Sequence, residues 1–422
     1  MRTTKLVIGL LASTLLSGCY QQIQQYEDSW EHNAHELQRQ LDANQPLVRS
    51  TFFGTHNSYN ASSYTTTQRY IDPNQSYGIK DQLRMDIRAL ELDVHSFFSF
   101  NEDTETFEPA LKLCHGMGNH LGCSPWDLSF REGLLEVSDW LSEPDNQNEV
   151  LLIYIEDHIG IGDYQKAIAV IEETIGEYVY RPEGSGCDYI PAETTRNTII
   201  GSGKNIILIS DGCNNAGFNL WVHGGFENGP RGYPTANVDN LLASSECIDN
   251  KFSRSQIENQ FIRLQEDRTI LSNLAGVAAE KVTPDVVRQL TACEINLIGM
   301  DKLKPFDGRL TAAIWSWDSD QPATNSSAAC AVHNDNNRFE TEDCDEQRHF
   351  ACQDPNTEQW FISEISGSWS DGEAACEALG LNFTVPKSGY DNQQLAQVKN
   401  DDNQSDIWLG YKTEDGALWQ VF

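Results

Sequence analysis

Positive charge is scarce in this 422-residue chain: 29 Lys and Arg stand against 63 Asp and Glu, for a formal net charge of −34. Binding along a phosphate backbone needs clustered cations, so nucleic acid is excluded as a partner. An anionic lipid would also be repelled, unless salt screens the field beyond about 10 Å or bound cations neutralise it, which points to a saline habitat. Long apolar runs are missing as well. The run Leu6 to Leu16 follows Met1-Arg2-Thr3-Thr4-Lys5 and is too short to span a bilayer as a stable helix. A charged start before a short apolar core marks residues 1–18 as a secretory leader, removed on export.

The leader closes with Leu16-Ser17-Gly18-Cys19, which resembles a bacterial lipobox. That resemblance implies that Cys19 becomes the lipid-modified first residue and anchors the mature chain to a membrane. Tyr20 stands where an inner-membrane retention aspartate would, so the expected address is the outer membrane or cell surface of a bacterium, with shedding left open. Without Cys19, ten of the eleven cysteines remain, an even number in an exported chain, which favours disulfides over a metal site or a reactive thiol. Pairing of neighbours would join Cys114 to Cys123, Cys187 to Cys213, Cys247 to Cys293, Cys330 to Cys344 and Cys352 to Cys376, although sequence alone does not fix connectivity.

Residues 19–46 read as a polar tether and an N-terminal helix, with Trp30, Leu37 and Leu41 at near-helical spacing before Pro46. From Leu47, short apolar runs alternate with longer polar or helical stretches, the rhythm of an α/β fold built as a TIM-type (β/α)8 barrel, here over 47–317. The eight expected strands are Ser50 to Gly54, Ala89 to His95, Ala110 to His115, Val150 to Glu156, Asn205 to Asp211, Asn219 to His223, Ile295 to Met300 and Thr311 to Trp317. Gly133 to Leu141, Tyr164 to Gly176, Ser255 to Ala278 and Pro284 to Cys293 read as helices, and Gly224 to Asn240 as a rim loop. Residues 318–422 form a second, smaller module.

In such barrels reacting groups stand at the C-terminal ends of strands. His56 and Asn57, Glu91 and Asp93, His115, and Glu156 all fall there. The Asn57 carbonyl with the Glu91, Asp93 and Glu156 carboxylates makes a partial shell for a hard cation, Ca2+ first and Mg2+ second. No cysteine and no spaced histidine pair joins the set, which argues against zinc. Two histidines near such an ion suit proton transfer during cleavage of a phosphodiester.

The runs Phe52-Phe53-Gly54-Thr55-His56-Asn57-Ser58-Tyr59, Ala89-Leu90-Glu91-Leu92-Asp93-Val94-His95, Leu113-Cys114-His115-Gly116 and Val150-Leu151-Leu152-Ile153-Tyr154-Ile155-Glu156-Asp157 resemble, in order and spacing, the catalytic X region of calcium-dependent phosphoinositide-specific phospholipases C. The resemblance implies cleavage of a glycerophospholipid or a soluble glycerophosphodiester between glycerol and phosphate, through a cyclic phosphate. It gives His56 and His115 the acid and base roles without deciding between them, and makes Asn57, Glu91, Asp93 and Glu156 calcium ligands. Metal-free bacterial relatives put aspartate after the first histidine and replace the carboxylates by an arginine; this chain sides with the calcium branch. His95 and His158 flank the site as supporting or structural residues. Lys204, Asp211, Trp221, Trp315 and Trp317 are substrate-binding candidates by position, and the scarcity of basic residues argues against a head group with extra phosphates.

Near the C-terminus, Ser368-Trp369-Ser370-Asp371-Gly372-Glu373-Ala374-Ala375-Cys376 and Trp408-Leu409-Gly410-Tyr411 resemble the first half of a C-type lectin-like domain. The closing half, with Gln321-Pro322, Cys330, Cys344 and Phe350-Ala351-Cys352, lies upstream, so the resemblance implies a permuted, disulfide-bonded α+β module. A Cys330 to Cys376 link would contradict it. Glu-Pro-Asn and Trp-Asn-Asp calcium motifs are absent, so a cell-surface protein is favoured over a glycan as partner. The competing function is a catalytically inactive surface adhesin.

Overall fold

The computed structural model describes residues 21–421 except 67, 102, 117–119, 121, 185, 237–240, 242–246, 249–250, 275–281, 324–328 and 415–418. The expected leader and the lipidation residue Cys19 lie outside the described residues. Packing divides the chain into a first unit (up to 27, 46–283 and 295–307) and a second (28–45, 284–294 and 308–422).

Among the described residues the first unit is built on six parallel strands, β1 (Phe52–Thr55), β2 (Ala89–Asn101), β4 (Leu151–His158), β5 (Ile206–Ile209), β6 (Arg263–Gln265) and β7 (Leu297–Met300), in the order β5-β4-β2-β1-β7-β6. Runs such as Leu151-Leu152-Ile153 and Ile206-Ile207-Leu208-Ile209 are buried on both faces, as a helix-covered parallel sheet requires. Helix Phe130–Leu141 covers one face through Leu134, Val137 and Leu141, and Ser129 with Glu132 closes a capping box at its start. The sheet curls into a half-barrel. Single parallel bridges from Ile209 to His223, Gly225 to Gly232 and Thr235 to Arg263 carry the curl onward from β5 toward β6. Gly225 takes φ +136°, and a Cβ there would meet the Pro230 carbonyl oxygen at 2.9 Å, so glycine is needed for that close approach.

Three expected strands and one helix differ. Ala110 to His115 belongs to β3 (Thr106–Leu113), which runs antiparallel to an overlong β2 as a hairpin rather than as a barrel stave. Asn219 to His223 is a 3-10 turn followed by one bridge. Thr311 to Trp317 lies in the second unit and starts as the end of helix Gly308–Ala313. Ser255 to Ala278 is not one helix: helix Arg254–Asn259 and helix Ile270–Leu274 bracket β6.

In the second unit β8 (Ala329–His333), β9 (Phe339–Glu342), β10 (His349–Gln353), β11 (Trp360–Ile362) and β13 (Ile407–Thr413) order as β11-β10-β13-β8-β9. Strands β12 (Asn382–Phe383) and β14 (Trp419–Val421) pair with β10 and β13. Helix Trp30–Leu41 belongs here, burying Leu37 and Leu41 in the same core as Trp315, Trp317, Phe339 and Tyr411. Disulfides join Cys330 to Cys344 and Cys352 to Cys376, and in the first unit Cys114 to Cys123 and Cys187 to Cys213, all four as neighbour pairing anticipates. Cys247 and Cys293 are each disulfide-bonded too.

Candidate active site

The parallel register of β2 on β4 sets Asp93 opposite Glu156 and Glu91 opposite Tyr154. Because side chains alternate along a strand, Glu91, Asp93 and His95 share one face while Leu90, Leu92 and Val94 point to the other. One carboxylate oxygen from each of Glu91, Asp93 and Glu156 lies within 4.8 Å of the others. Burial first, then the charges of Glu91 and Glu156, hold the Asp93 carboxyl well above the usual carboxylate range.

Asn57 joins this group by way of Tyr59. The buried Tyr59 hydroxyl stands 2.9 Å from Asp93 Oδ2 and 3.0 Å from Asn57 Oδ1. Asn57 adopts φ +47°, a left-handed conformation that asparagine tolerates better than most residues. The turn is tied to β2, where the Glu91 amide donates to Ser58 Oγ at 2.9 Å and the Ser58 amide to the Glu91 carbonyl at 3.0 Å.

His56 follows β1 directly. Its Nδ1 lies 2.9 Å from the Glu266 carbonyl oxygen, which accepts only from an N–H and so leaves Nε2 as the unprotonated nitrogen of the neutral ring, accepting from the Asn57 amide. Nε2 is 3.1 Å from Asn57 Nδ2 and 3.8 Å from Glu91 Oε2. Burial alone would depress the His56 pKa, but Glu91, Asp301 and Asp267 together outweigh it and raise the value. Asp301 Oδ1 stands 4.0 Å from Nδ1 and also accepts from Gln75 Nε2. Burial pushes the Asp301 carboxyl up to about 7, against the opposing pull of His56.

The remaining expected residues scatter. Exposed His115, on the loop after β3, lines a cavity of about 570 Å³ with Asn60, Tyr70, Asp72 and Asp127. A second imidazole, besides His56, reaches the carboxylates: His158, whose Nε2 lies 2.7 Å from Glu156 Oε1. His158 stacks on His95 at 4.3 Å, and His95 Nδ1 meets His120 Nδ1 at 3.0 Å. Burial and the neighbouring His158, His120 and His115 lower the His95 pKa to about 3. Asp211 stands two residues past β5, at the mouth, but Lys204 precedes β5 and its Nζ donates to the Glu177 carbonyl. Buried Trp221 packs under the Arg181 guanidinium at 3.3 Å, and Trp315 and Trp317 are core residues of the second unit.

Residues on and after β6, which the sequence pattern does not single out, complete the site. Gln265 Nε2 donates to Glu91 Oε2 at 2.6 Å, and Arg263 Nη1 stands 3.6 Å from Glu91 Oε1. Glu266, fully buried, accepts the Asp301 amide, and Asp267 with Asp301 forms a second acidic group around His56. The only mark in the sequence is the acidic pair Glu266-Asp267 closing Phe261-Ile262-Arg263-Leu264-Gln265, whose apolar residues are interrupted by Arg263 and Gln265, unlike the run ending at Glu156.

The oxygen cluster fits a divalent ion. Asp93 Oδ1 is buried and meets no donor among the described residues, and three carboxylates at this spacing repel one another unless a proton or a cation lies between them. Glu91, Asp93, Glu156 and Asn57 could hold a hard cation with room left for other ligands.

Residues 19–307 match the family model of the Rv2075c PI-PLC-like domain. The uncharacterized protein Rv2075c of Mycobacterium tuberculosis is 30% identical over 398 residues, covering 88% of this chain and 78% of that protein. Among solved structures, a mutant phosphatidylinositol-specific phospholipase C of Staphylococcus aureus aligns with a TM-score of 0.43 at 13% identity, over 68% of this chain and 98% of that one. The enzyme of the same name from Listeria monocytogenes aligns at 0.38 and 15% identity, over 64% and 94%. The chain therefore belongs to the Rv2075c PI-PLC-like family and is a phospholipase C-like enzyme of the phosphoric diester hydrolase kind.

Proposed function

We propose that this enzyme is a calcium-dependent phosphodiesterase that cleaves phosphatidylinositol or a related glycerophospholipid between glycerol and phosphate, through a cyclic phosphate. The observation that carries the reading is the meeting of Glu91, Asp93 and Glu156 within 4.8 Å, beside an imidazole whose Nε2 is 3.8 Å from Glu91. Calcium held by Asn57, Glu91, Asp93 and Glu156 would lower the pKa of the attacking hydroxyl and neutralise charge on the phosphate. His56 Nε2, oriented by the Glu266 carbonyl, accepts the proton of the hydroxyl beside the phosphate, and Asp301 and Asp267 favour the imidazolium that results. His115 keeps the role of acid toward the leaving glycerol oxygen on the resemblance alone.

Apolar side chains on the segments that follow the strand ends support a lipid surface over a soluble diester. Ile71 after β1 is 82% exposed and Ile161 after β4 is 92% exposed. Phe98 and Phe107 on the β2–β3 hairpin, and Ile270 and Leu274 after β6, add to this exposed apolar rim. A lipid anchor at Cys19 would hold that rim at a membrane. The Cys330–Cys344 and Cys352–Cys376 bridges favour the permuted lectin-like reading of the second unit.

The test is release of cyclic inositol phosphate from phosphatidylinositol vesicles by the purified protein. Product should form with calcium, stop with a chelator, and fall by about 10³-fold in His56→Ala. Full turnover in the chelator or in His56→Ala removes the mechanism, and faster turnover of glycerophosphoinositol than of vesicles removes the lipid assignment.

A further inference from the structure

We propose that the second unit carries a binding pocket for a hydroxylated carboxylic acid, of the uronic-acid kind, separate from the catalytic site. A cavity of about 550 Å³, within the usual range for small-molecule sites, opens between helices Pro284–Ala292 and Gly389–Asp401, the end of helix Gly308–Ala313 and the turn Asn336-Asn337-Arg338. Three features of its lining define the complement.

The first is an arginine without its counter-ion. Arg338 Nη1 donates to the Asn337 carbonyl at 3.1 Å, but no carboxylate lies within ion-pair distance of this guanidinium among the described residues. Arg288 lines the same cavity from the exposed side and is already paired, at 2.7 Å, with Asp285. Burial, then repulsion from Arg288, lowers the Arg338 pKa despite the opposing charge of Asp318. A bound anion would relieve both, and a guanidinium fork fits a carboxylate with two parallel hydrogen bonds.

The second feature is an acceptor without a donor. Asn337 Oδ1 is buried and unpartnered among the described residues. A buried acceptor left unpaired is costly, and a ligand hydroxyl would satisfy it. The third is an apolar wall of Trp315 and Ala396, which suits the carbon face of a ring. An anion, a hydroxyl donor and a carbon skeleton together describe a sugar acid. Because the chain carries a formal charge of −34, a singly charged carboxylate is admitted more easily than a doubly charged phosphate.

The mature protein should be titrated calorimetrically with D-glucuronate, D-glucose, acetate and inorganic phosphate. Glucuronate should bind saturably, with glucose and acetate each at least about tenfold weaker, as expected for losing one charge-assisted or buried hydrogen bond. Arg338→Met should weaken glucuronate by about tenfold or more. Because Arg338 is largely covered, Arg288→Glu at the exposed rim is a second variant that puts a like charge beside the ligand, and it should weaken binding by a similar factor. No saturable glucuronate binding, unchanged affinity in Arg288→Glu, or tighter binding of phosphate than of glucuronate would overturn the assignment. The catalytic reading is untouched by any of these outcomes.

Discussion

Removing one carboxylate from the cluster on β2 and β4 should stabilise the cation-free protein and remove its response to calcium. Two unit charges 4.8 Å apart repel by about 3 kcal/mol at an effective dielectric constant of 20. Asp93 faces two such neighbours, which are offset in part by Arg263 beside Glu91 and by His158 beside Glu156. In Asp93→Asn the amide oxygen still accepts the Tyr59 hydroxyl, so the substitution changes charge more than contacts. The net gain without cation should be about 2 kcal/mol, or roughly 4–8 °C in melting temperature for a unit of this size. Native protein with calcium at a hundredfold its dissociation constant should gain about 2.7 kcal/mol, roughly 5–10 °C. Scanning calorimetry of both proteins, in a chelator and in calcium, measures all four melting temperatures. If Asp93→Asn melts at or below the native protein in the chelator, or if calcium shifts both proteins equally, the three carboxylates are not a cation site.

Other outcomes follow from single contacts. Gln265→Ala removes the 2.6 Å bond to Glu91 and should weaken calcium by about 10–100-fold, read by titration calorimetry, while leaving the melting temperature in chelator nearly unchanged. Burial raises the Asp127 carboxyl from 3.8 to about 6, so the protonated form favours the fold: that contribution is complete below about pH 4 and is lost as the pH climbs toward 6. Asp127→Asn, which still accepts the Ser124 amide, should therefore stabilise by about 1 kcal/mol at pH 8 and by nothing at pH 4; equal denaturation midpoints at pH 8 would contradict this. In Gly54→Ala the new methyl meets Leu297 Cδ1 at 2.7 Å and the Ala89 carbonyl at 3.0 Å, so β1 should be forced from β2 and β7 at a cost of about 1–3 kcal/mol in urea unfolding.

The catalytic strands were legible where an apolar run is long and ends in a polar residue. Leu151 to Ile155 closing on Glu156, and Ala89 to Leu92 around Glu91 and Asp93, carry both the burial and the alternation that a reader of residues can use. The β3 hairpin reads as a barrel stave in the sequence because its end, Leu111 to Leu113, is as buried as one, and strand direction leaves no mark in composition. Helices Trp30–Leu41 and Pro284–Ala292 show their apolar faces plainly. A face does not say which of two cores it enters, and both belong to the unit that contains the C-terminus.

Strand β6 illustrates the harder limit. Ile257, Phe261 and Leu264 fall four and three residues apart, so helical spacing absorbs a strand of only three residues whose identity rests on its pairing with β7. Hidden with it was the group that orients His56, and that group is the backbone carbonyl of Glu266. Any residue at that position could supply the same oxygen, so no inspection of side-chain types would have found it. The Glu266 carboxylate acts elsewhere, accepting the Val282 and Asp301 amides and so fixing the path of the chain that brings both its own carbonyl and Asp301 to the imidazole. Four side chains at the ends of apolar runs announce the oxygen cluster, whereas the orientation of the base depends on main chain that only the folded sheet brings into place.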